Sequence, residues 1–291
     1  MKFAFIAAEK ASFPVTLLCR VLKVSRSGFH AWVKREPSER AKRDALLAND
    51  IAALHRRFKR TYGSPRIHAE LRAKGHRISR KRVERIMRLR GLRTKLKRRT
   101  KKTTDSKHSL PIAPNLLERK FDVHAPNTVW VTDVAAIWTN EGWLYLAPML
   151  DLFARRVVGW DVSASNDAEL ALSALRRSVA SRRPPRGILH HSDRGSPYAS
   201  DAYRAELGLH GFTQSMSRKG NCWDNAVAES FFASLRAELT DHVCFETRDQ
   251  AERAIADYIE DFYNVARRHS SLGYLCPIEY ELRSHVERLV A

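Results

Sequence analysis

Three carboxylates carry the chemistry that this 291-residue chain can do. Asp133 ends the apolar run Val129-Trp130-Val131-Thr132, Asp193 follows Ile188-Leu189-His190-His191-Ser192, and Glu229 lies within Asp224-Asn225-Ala226-Val227-Ala228-Glu229-Ser230-Phe231-Phe232. Two carboxylates at strand ends and a third on a helix can converge on divalent metal. Carboxylate oxygens are the hard ligands Mg²⁺ prefers, and two such ions ~4 Å apart can activate an attacking oxygen and stabilise a leaving one at a phosphodiester. Three crowded carboxylates repel one another without a cation, so the site should assemble with its metal. Alone, Asp193 suits an ordinary turn and Glu229 an ordinary surface. Together the three point to the cutting and joining of nucleic acid strands.

The elements around them read as a mixed sheet with helices on its faces. Strands are predicted over 128–138, 143–153 and 156–162 at hairpin-like spacing, then a helix over 167–181 and a strand over 187–191 leading into Asp193. A helix over 200–209, a strand over 212–216 and a long helix from 224 toward 240 follow, with another long helix over 249–266. Asp133 then sits on the first strand and Asp193 leaves the fourth, beside it. On the packing helix, Val227, Phe231 and Leu235 form a stripe at four-residue spacing that turns Glu229 away from the apolar seam.

Charge is segregated along the chain. Residues 1–120 hold 34 Lys+Arg against 9 Asp+Glu, whereas residues 121–291 hold 18 against 23, so the formal +20 belongs entirely to the first part. Such a part suits a polyanion held beside the chemistry. Within it, Val15 to Lys34 reads as two short helices around a turn, with Arg26 and His30 outward and Phe29 and Trp32 inward. Three further helices, over 43–60, 66–73 and 79–90, form a second small DNA-binding fold, whose candidate contacts are Arg66, Arg80, Lys81, Arg82, Arg85 and Arg88. The expected organisation is a helix-turn-helix-like segment 1–40, a helical DNA-binding domain 41–92, a basic linker 93–122 and a catalytic core 123–291 with a helical extension. Four cysteines without metal-ligand spacing, and no long apolar run, lead us to expect a reducing, cytoplasmic setting, with nucleoid association when DNA is bound.

Several local strings resemble a known family. Val131-Thr132-Asp133, Gly142-Trp143-Leu144-Tyr145-Leu146-Ala147, Asp151-Leu152-Phe153-Ala154-Arg155, His191-Ser192-Asp193-Arg194-Gly195-Ser196 and Glu229-Ser230-Phe231-Phe232 are similar to the integrase-type core of bacterial insertion-sequence transposases, of the downstream-frame type often called OrfB. The tail Arg268-His269-Ser270-Ser271-Leu272-Gly273-Tyr274 resembles the end of that family, and Tyr62-Gly63 with Arg66-Ile67 its helix-turn-helix region. Pro197 stands where the family usually has glutamine, Ala135-Ala136 replace a polar or aromatic pair, and residues 1–16 show no strong match.

The resemblance implies an α/β, ribonuclease-H-like core in which Asp133, Asp193 and Glu229 are the catalytic metal ligands. It sets 35 residues between the second and third, the number separating Asp193 from Glu229 here. It implies two Mg²⁺ ions per site, replaceable by Mn²⁺, and a reaction in which water cuts one strand at an element end and the freed 3′-hydroxyl attacks a second phosphodiester. It also implies multimers on DNA and an upstream-frame protein, or a frameshift fusion with it, that contributes end recognition.

The supporting residues leave alternatives open. Asn225 suits a hydrogen bond to a ligand carboxylate or the DNA backbone, or a helix cap. His191 suits orientation of Asp193, a phosphate contact or plain packing within a strand. Arg194, Arg218 and Lys219 are candidate phosphate contacts, and Trp223 a surface for a base to stack on. The carboxylates alone also suit a nuclease that cuts without joining, and the basic helices a repressor with a degenerate core. A sugar hydrolase using paired carboxylates would not call for so basic a leading part.

Overall fold

The computed structural model describes residues 1–95 and 110–290. Six helices come first: α1 (Lys2–Glu9), α2 (Val15–Val21), α3 (Arg26–Lys34), α4 (Glu39–Arg57), α5 (Ser64–Ala73) and α6 (Arg80–Leu89). Their starts follow capping chemistry, with Ser25, Ser38 and Ser79 each accepting from a backbone N–H of the first turn. The Ser38 cap opens α4 four residues earlier than the sequence reading placed it. α4, α5 and α6 close on Leu47, Ile51, Leu54, Ile67, Leu71 and Val83, all buried.

The remainder is a six-stranded mixed sheet with helices on both faces. Its elements are β1 (Val129–Thr132), β2 (Ala135–Thr139), β3 (Gly142–Asp151), β4 (Arg156–Ser163), α7 (Ala168–Arg182), β5 (Leu189–Ser192), α8 (Ser196–Ala199), α9 (Asp201–Leu209), β6 (Thr213–Met216), α10 (Ala226–Glu238), α11 (Arg248–Ala256) and α12 (Pro277–Val290). β3 pairs antiparallel with β1, β2 and β4, whereas β5 runs parallel to β1 and β6 parallel to β5.

The first predicted strand is interrupted in the structure. β1 and β2 keep one register against β3, from Trp130 opposite Asp151 to Thr139 opposite Gly142, yet the strand breaks at Asp133-Val134. Alternation sends Val129 and Val131 into the core under α10 and α11, and Trp130 into the core under α7 and α9. Gly159 on β4 lets α7 come close: a Cβ there would meet the Ser178 Cα at 2.7 Å. The helix predicted over 249–266 becomes α11 followed by a π-helical turn, Asp257–Tyr263. Among the described residues no helix is long and apolar enough to cross a membrane.

α4, α5 and α6 are docked on the core through largely buried polar groups. The Tyr62 hydroxyl accepts from the Arg268 amide at 2.8 Å, and the Arg268 guanidinium donates to Glu70 at 2.7 Å. Arg66 donates to the Arg268 carbonyl at 2.9 Å and pairs with Glu238, the last residue of α10, at 3.4 Å. Arg66, expected on a DNA-facing surface, is thus turned inward between the two parts. The expected linker also divides. Residues 96–109, with Lys97, Arg98, Arg99, Lys101 and Lys102, lie outside the described residues, whereas 110–122 pack on the core through buried Leu117.

Candidate active site

Asp133 and Asp193 come from the carboxyl ends of adjacent parallel strands. β1 and β5 pair in register from Val129 opposite Leu189 to Val131 opposite His191 and then part, the first continuing along β3 as β2 while β5 ends at Ser192. Ligand bays in open α/β sheets form at such divergence points. Asp133 sits at the break before β2, where the Val134 amide donates to its Oδ1 at 2.9 Å. Asp193 accepts at 2.8 Å from the Gly195 amide, in a tight turn where a Cβ on Gly195 would meet the same carboxylate oxygen at 2.9 Å.

Glu229 arrives on α10. Val227, Ala228, Phe231, Phe232 and Leu235 bury one side of that helix, leaving Glu229 exposed on the other. Asn225 ties the start of α10 to the end of β1, donating from Nδ2 to the Thr132 carbonyl at 2.9 Å, next to Asp133. Its Oδ1 is buried without a protein partner among the described residues. Asn225 is therefore a strap between elements, and its side chain caps no helix amide.

Asp133 feels the charges of both other carboxylates. Burial pushes the Asp133 carboxyl well above the usual carboxylate range, and the charges of Asp193 and then Glu229 push it the same way, against the nearby cation of Arg236. A set of hard oxygen donors that destabilise one another's charge fits a divalent cation in its chemistry. Among the described residues the side chains are not drawn together as a finished coordination sphere. Asp133, Asp193 and Glu229 are the residues here that could hold a divalent metal.

The loop before α10 is fixed by an acid the sequence reading did not single out. Asp224, fully buried, accepts from the Arg218 guanidinium at 2.8 and 2.9 Å, from the Arg119 Nε at 2.8 Å and from the Asn115 amide nitrogen at 2.9 Å. The Arg218 hydrogen bond is the main cause that holds its carboxyl far below the ordinary value. Arg218 is consequently engaged within the loop, while Lys219 stands exposed at its tip and Trp223 is 68% exposed beside the bay. Basic residues reading as a linker gave no sign of Arg119 and Asn115, whose partner lies about a hundred residues away in sequence.

The other candidates divide by place. His191 is fully buried, hydrogen-bonded to Ser215 Oγ at 2.8 Å and Ser217 Oγ at 3.1 Å, with burial holding its pKa down to about 4. It is a packed strand histidine, out of reach of a phosphate. Arg194 donates to the Ser217 carbonyl at 2.7 Å. Pro197, one of the departures from the family pattern, opens α8, a position proline suits, and sets Tyr198 beneath the bay with its hydroxyl 3.1 Å from Thr132 Oγ1. On α6, Arg82 and Arg85 pair with Asp44 while Arg80, Lys81 and Arg88 are exposed. Arg26 on α3 is exposed as well.

Comparison with known proteins gives the family. Residues 123–222 and 210–277 match two models of the integrase core domain, and residues 41–100 match an HTH-like domain. The chain is 44% identical over 268 residues to an insertion element IS600 uncharacterized 31 kDa protein of Shigella sonnei, covering 92% of this chain and 98% of the relative. It is 40% identical over 283 residues to transposase InsF for insertion sequence IS3A of Escherichia coli (strain K12), covering 97% of this chain and 98% of that one. Among solved structures, a simian T-cell lymphotropic virus intasome in complex with PP2A regulatory subunit B56 gamma is similar over 79% of this chain and 74% of that chain, at 14% identity and a TM-score of 0.46. An HTLV-2 integrase catalytic core domain in complex with magnesium is similar over 54% of this chain and 97% of that chain, at 14% identity and a TM-score of 0.40. With near-complete coverage of relatives at 40% identity or more, the chain belongs to the insertion-sequence transposases, DDE-type polynucleotidyl transferases built on an integrase core.

Proposed function

We propose that this chain cuts and joins the ends of an insertion element with Asp133, Asp193 and Glu229 as its catalytic carboxylates. The observation that carries the reading is the placement of Asp133 and Asp193 just beyond the carboxyl ends of the adjacent parallel strands β1 and β5, with Asn225 tying the helix of Glu229 to the end of β1. In the first step a water oxygen attacks phosphorus at the element end, one P–O bond forms as another breaks, and a 3′-hydroxyl is released. In the second, that hydroxyl attacks a target phosphodiester. Bonds again exchange one for one, so no external energy source is needed.

Divalent metal, Mg²⁺ or Mn²⁺, would activate the attacking oxygen and stabilise the leaving one when bound in pairs by the three carboxylates. The chain's own residues do the placing. The Asp193 turn is closed by the Gly195 amide, and Asn225 holds α10, and Glu229 with it, against the strand that carries Asp133. Lys219 and Arg194 supply positive charge toward phosphates and Trp223 a stacking surface for a base near the scissile bond. A groove of about 820 Å³, lined by Ala136, Trp138, Phe232, Arg236 and His242, runs beside β2 next to the bay and gives a DNA strand room to leave. Arg80, Lys81 and Arg88 on α6 hold the duplex. The chain works as a multimer on DNA, with an upstream-frame protein contributing to end recognition.

Asp133→Ala tests this reading. Nicking of a labelled terminal-repeat duplex is expected to disappear while DNA binding remains, and Mg²⁺-dependent nicking that persists in the variant would refute it.

A further inference from the structure

Residues 2–34 fold as a unit of their own, outside the region matched to an HTH-like domain. α1, α2 and α3 close on Ile6, Leu18, Cys19 and Phe29, a cluster separate from the one under α4, α5 and α6. Four residues join α2 to α3. Lys23 takes a left-handed conformation at φ 52°, Val24 N donates to the Cys19 carbonyl at 3.0 Å to end α2, and Ser25 accepts from Gly28 N at 3.0 Å to open α3. Gly28 lets α1 come near, since a Cβ there would meet the Phe3 ring at 3.3 Å. Three helices with a short turn between the second and third make a helix-turn-helix.

Beyond Glu9 at the end of α1, this unit carries only positive charge. No acidic residue occurs between Glu9 and Glu36, a span that includes Arg20, Lys23, Arg26 and Lys34. Phe29 turns inward on α3, whereas Arg26, Ser27, His30 and Lys34 are exposed, together with Val33 and with Trp32, expected from the sequence to pack inward. A helix whose free face offers donors and cations without a single carboxylate is suited to a nucleic acid groove.

We propose that residues 2–34 are a second DNA-binding module, with α3 entering the major groove and Arg26, His30 and Lys34 meeting bases and phosphates. This rests on the reading that the chain acts on DNA, but not on the carboxylate chemistry. Spacing fixes where the module binds. Residues 35–38 link it to α4, whose buried positions begin at Leu47. A four-residue link reaches at most ~14 Å and the eight residues 39–46 of helix add ~12 Å, together less than the ~34 Å of one DNA turn. The two modules therefore read adjoining segments of one duplex.

The experiment is hydroxyl-radical footprinting of the full chain, without divalent metal, on a duplex carrying the element's terminal repeat and flanking DNA. The triple variant Arg26→Ala, His30→Ala, Lys34→Ala alters exposed side chains only, and an unchanged thermal melt verifies its fold. The variant should lose one end of the protected stretch and keep the other. Affinity should fall about tenfold, and the slope of log K against log salt should shrink by about two, one for each cation removed. A footprint and slope equal to wild type would overturn the proposal, as would a change of oligomeric mass with the footprint intact, which would make this unit a protein-docking surface. No footprint from the wild type would overturn the DNA-binding reading along with it.

Discussion

Asp133 and Asp193 each lie two residues beyond the last paired residues of the parallel strands β1 and β5. The sixty-residue offset that pairs Val129 with Leu189 and Val131 with His191 is also the offset between the two aspartates, just past where β1 and β5 stop pairing. Two like charges set side by side, with Glu229 adding a third, destabilise the fold locally until a cation offsets them. Asp133→Asn should therefore melt above the wild type in chelator. Adding Mg²⁺ should raise the wild-type midpoint by several degrees and leave the variant nearly unmoved, because only the wild type gains binding energy in the folded state. Thermal melts with and without metal check both.

Asn225 gives a sharper test of positioning. Both Asn225→Ala and Asn225→Asp remove the donor to the Thr132 carbonyl, which frees α10 at the end nearest Glu229. Cleavage should slow on the order of 10- to 100-fold, with a higher Mg²⁺ concentration at half-maximal rate and unchanged DNA affinity. Rate measured across a metal titration separates this from simple misfolding.

On α6 the basic residues should fall into two groups. Lys81→Ala with Arg88→Ala removes exposed cations, so affinity should fall on all sequences and the salt slope should shrink by about two. Arg82 and Arg85 are held by Asp44 at 2.7 and 2.5 Å, so Arg82→Ala should lower stability by ~0.5–1 kcal/mol and leave the salt slope closer to wild type. Binding isotherms at several salt concentrations, paired with urea melts, make the comparison.

Stability should fall on acidification below pH 6.5. Burial holds His190 down to about 3, His191 to about 4 and His269 to about 2, so each stays neutral in the fold. The unfolded chain takes up protons at these histidines below about 6.5, so their contribution is complete above that pH and is lost as pH drops toward 4. Asp151 acts with the opposite sign, because burial raises its carboxyl to about 6 and the fold binds its proton more readily than the unfolded chain does. Asp133, raised by burial as well, acts as Asp151 does, so three groups stand against two, and each contributes a slope of up to ~1.4 kcal/mol per pH unit. Urea midpoints at pH 7 and pH 5 should differ accordingly, and His269→Gln should flatten the dependence.

Much of the site could be read from residue order. Acids placed at the ends of apolar strands, and a helix whose stripe leaves Glu229 on its free side, are local patterns that survive folding unchanged. What could not be read depends on partners far away in the chain. Arg66 looks like any surface cation until Tyr62 and Glu70 bring it against Arg268. Arg119 sits in a stretch composed like a linker, and it is Asp224 and Asn221, about a hundred residues away, that give it a place. The break at Asp133-Val134 was invisible for a related reason: β3 continues to pair with the chain beyond it, and only the departure of β5 marks the site. The π-helical turn at Asp257–Tyr263 interrupts a stretch whose apolar spacing reads as one helix.

The most direct measurement of the central claim uses purified protein, Mg²⁺ and a labelled duplex ending in the element's terminal repeat, scored for nicking and for transfer into a second duplex. The account predicts both products with the wild type and neither with Glu229→Gln, which keeps its side-chain volume and its DNA binding but loses the third charge. Joined product from Glu229→Gln at the wild-type rate would contradict the assignment of Glu229 to the catalytic triad.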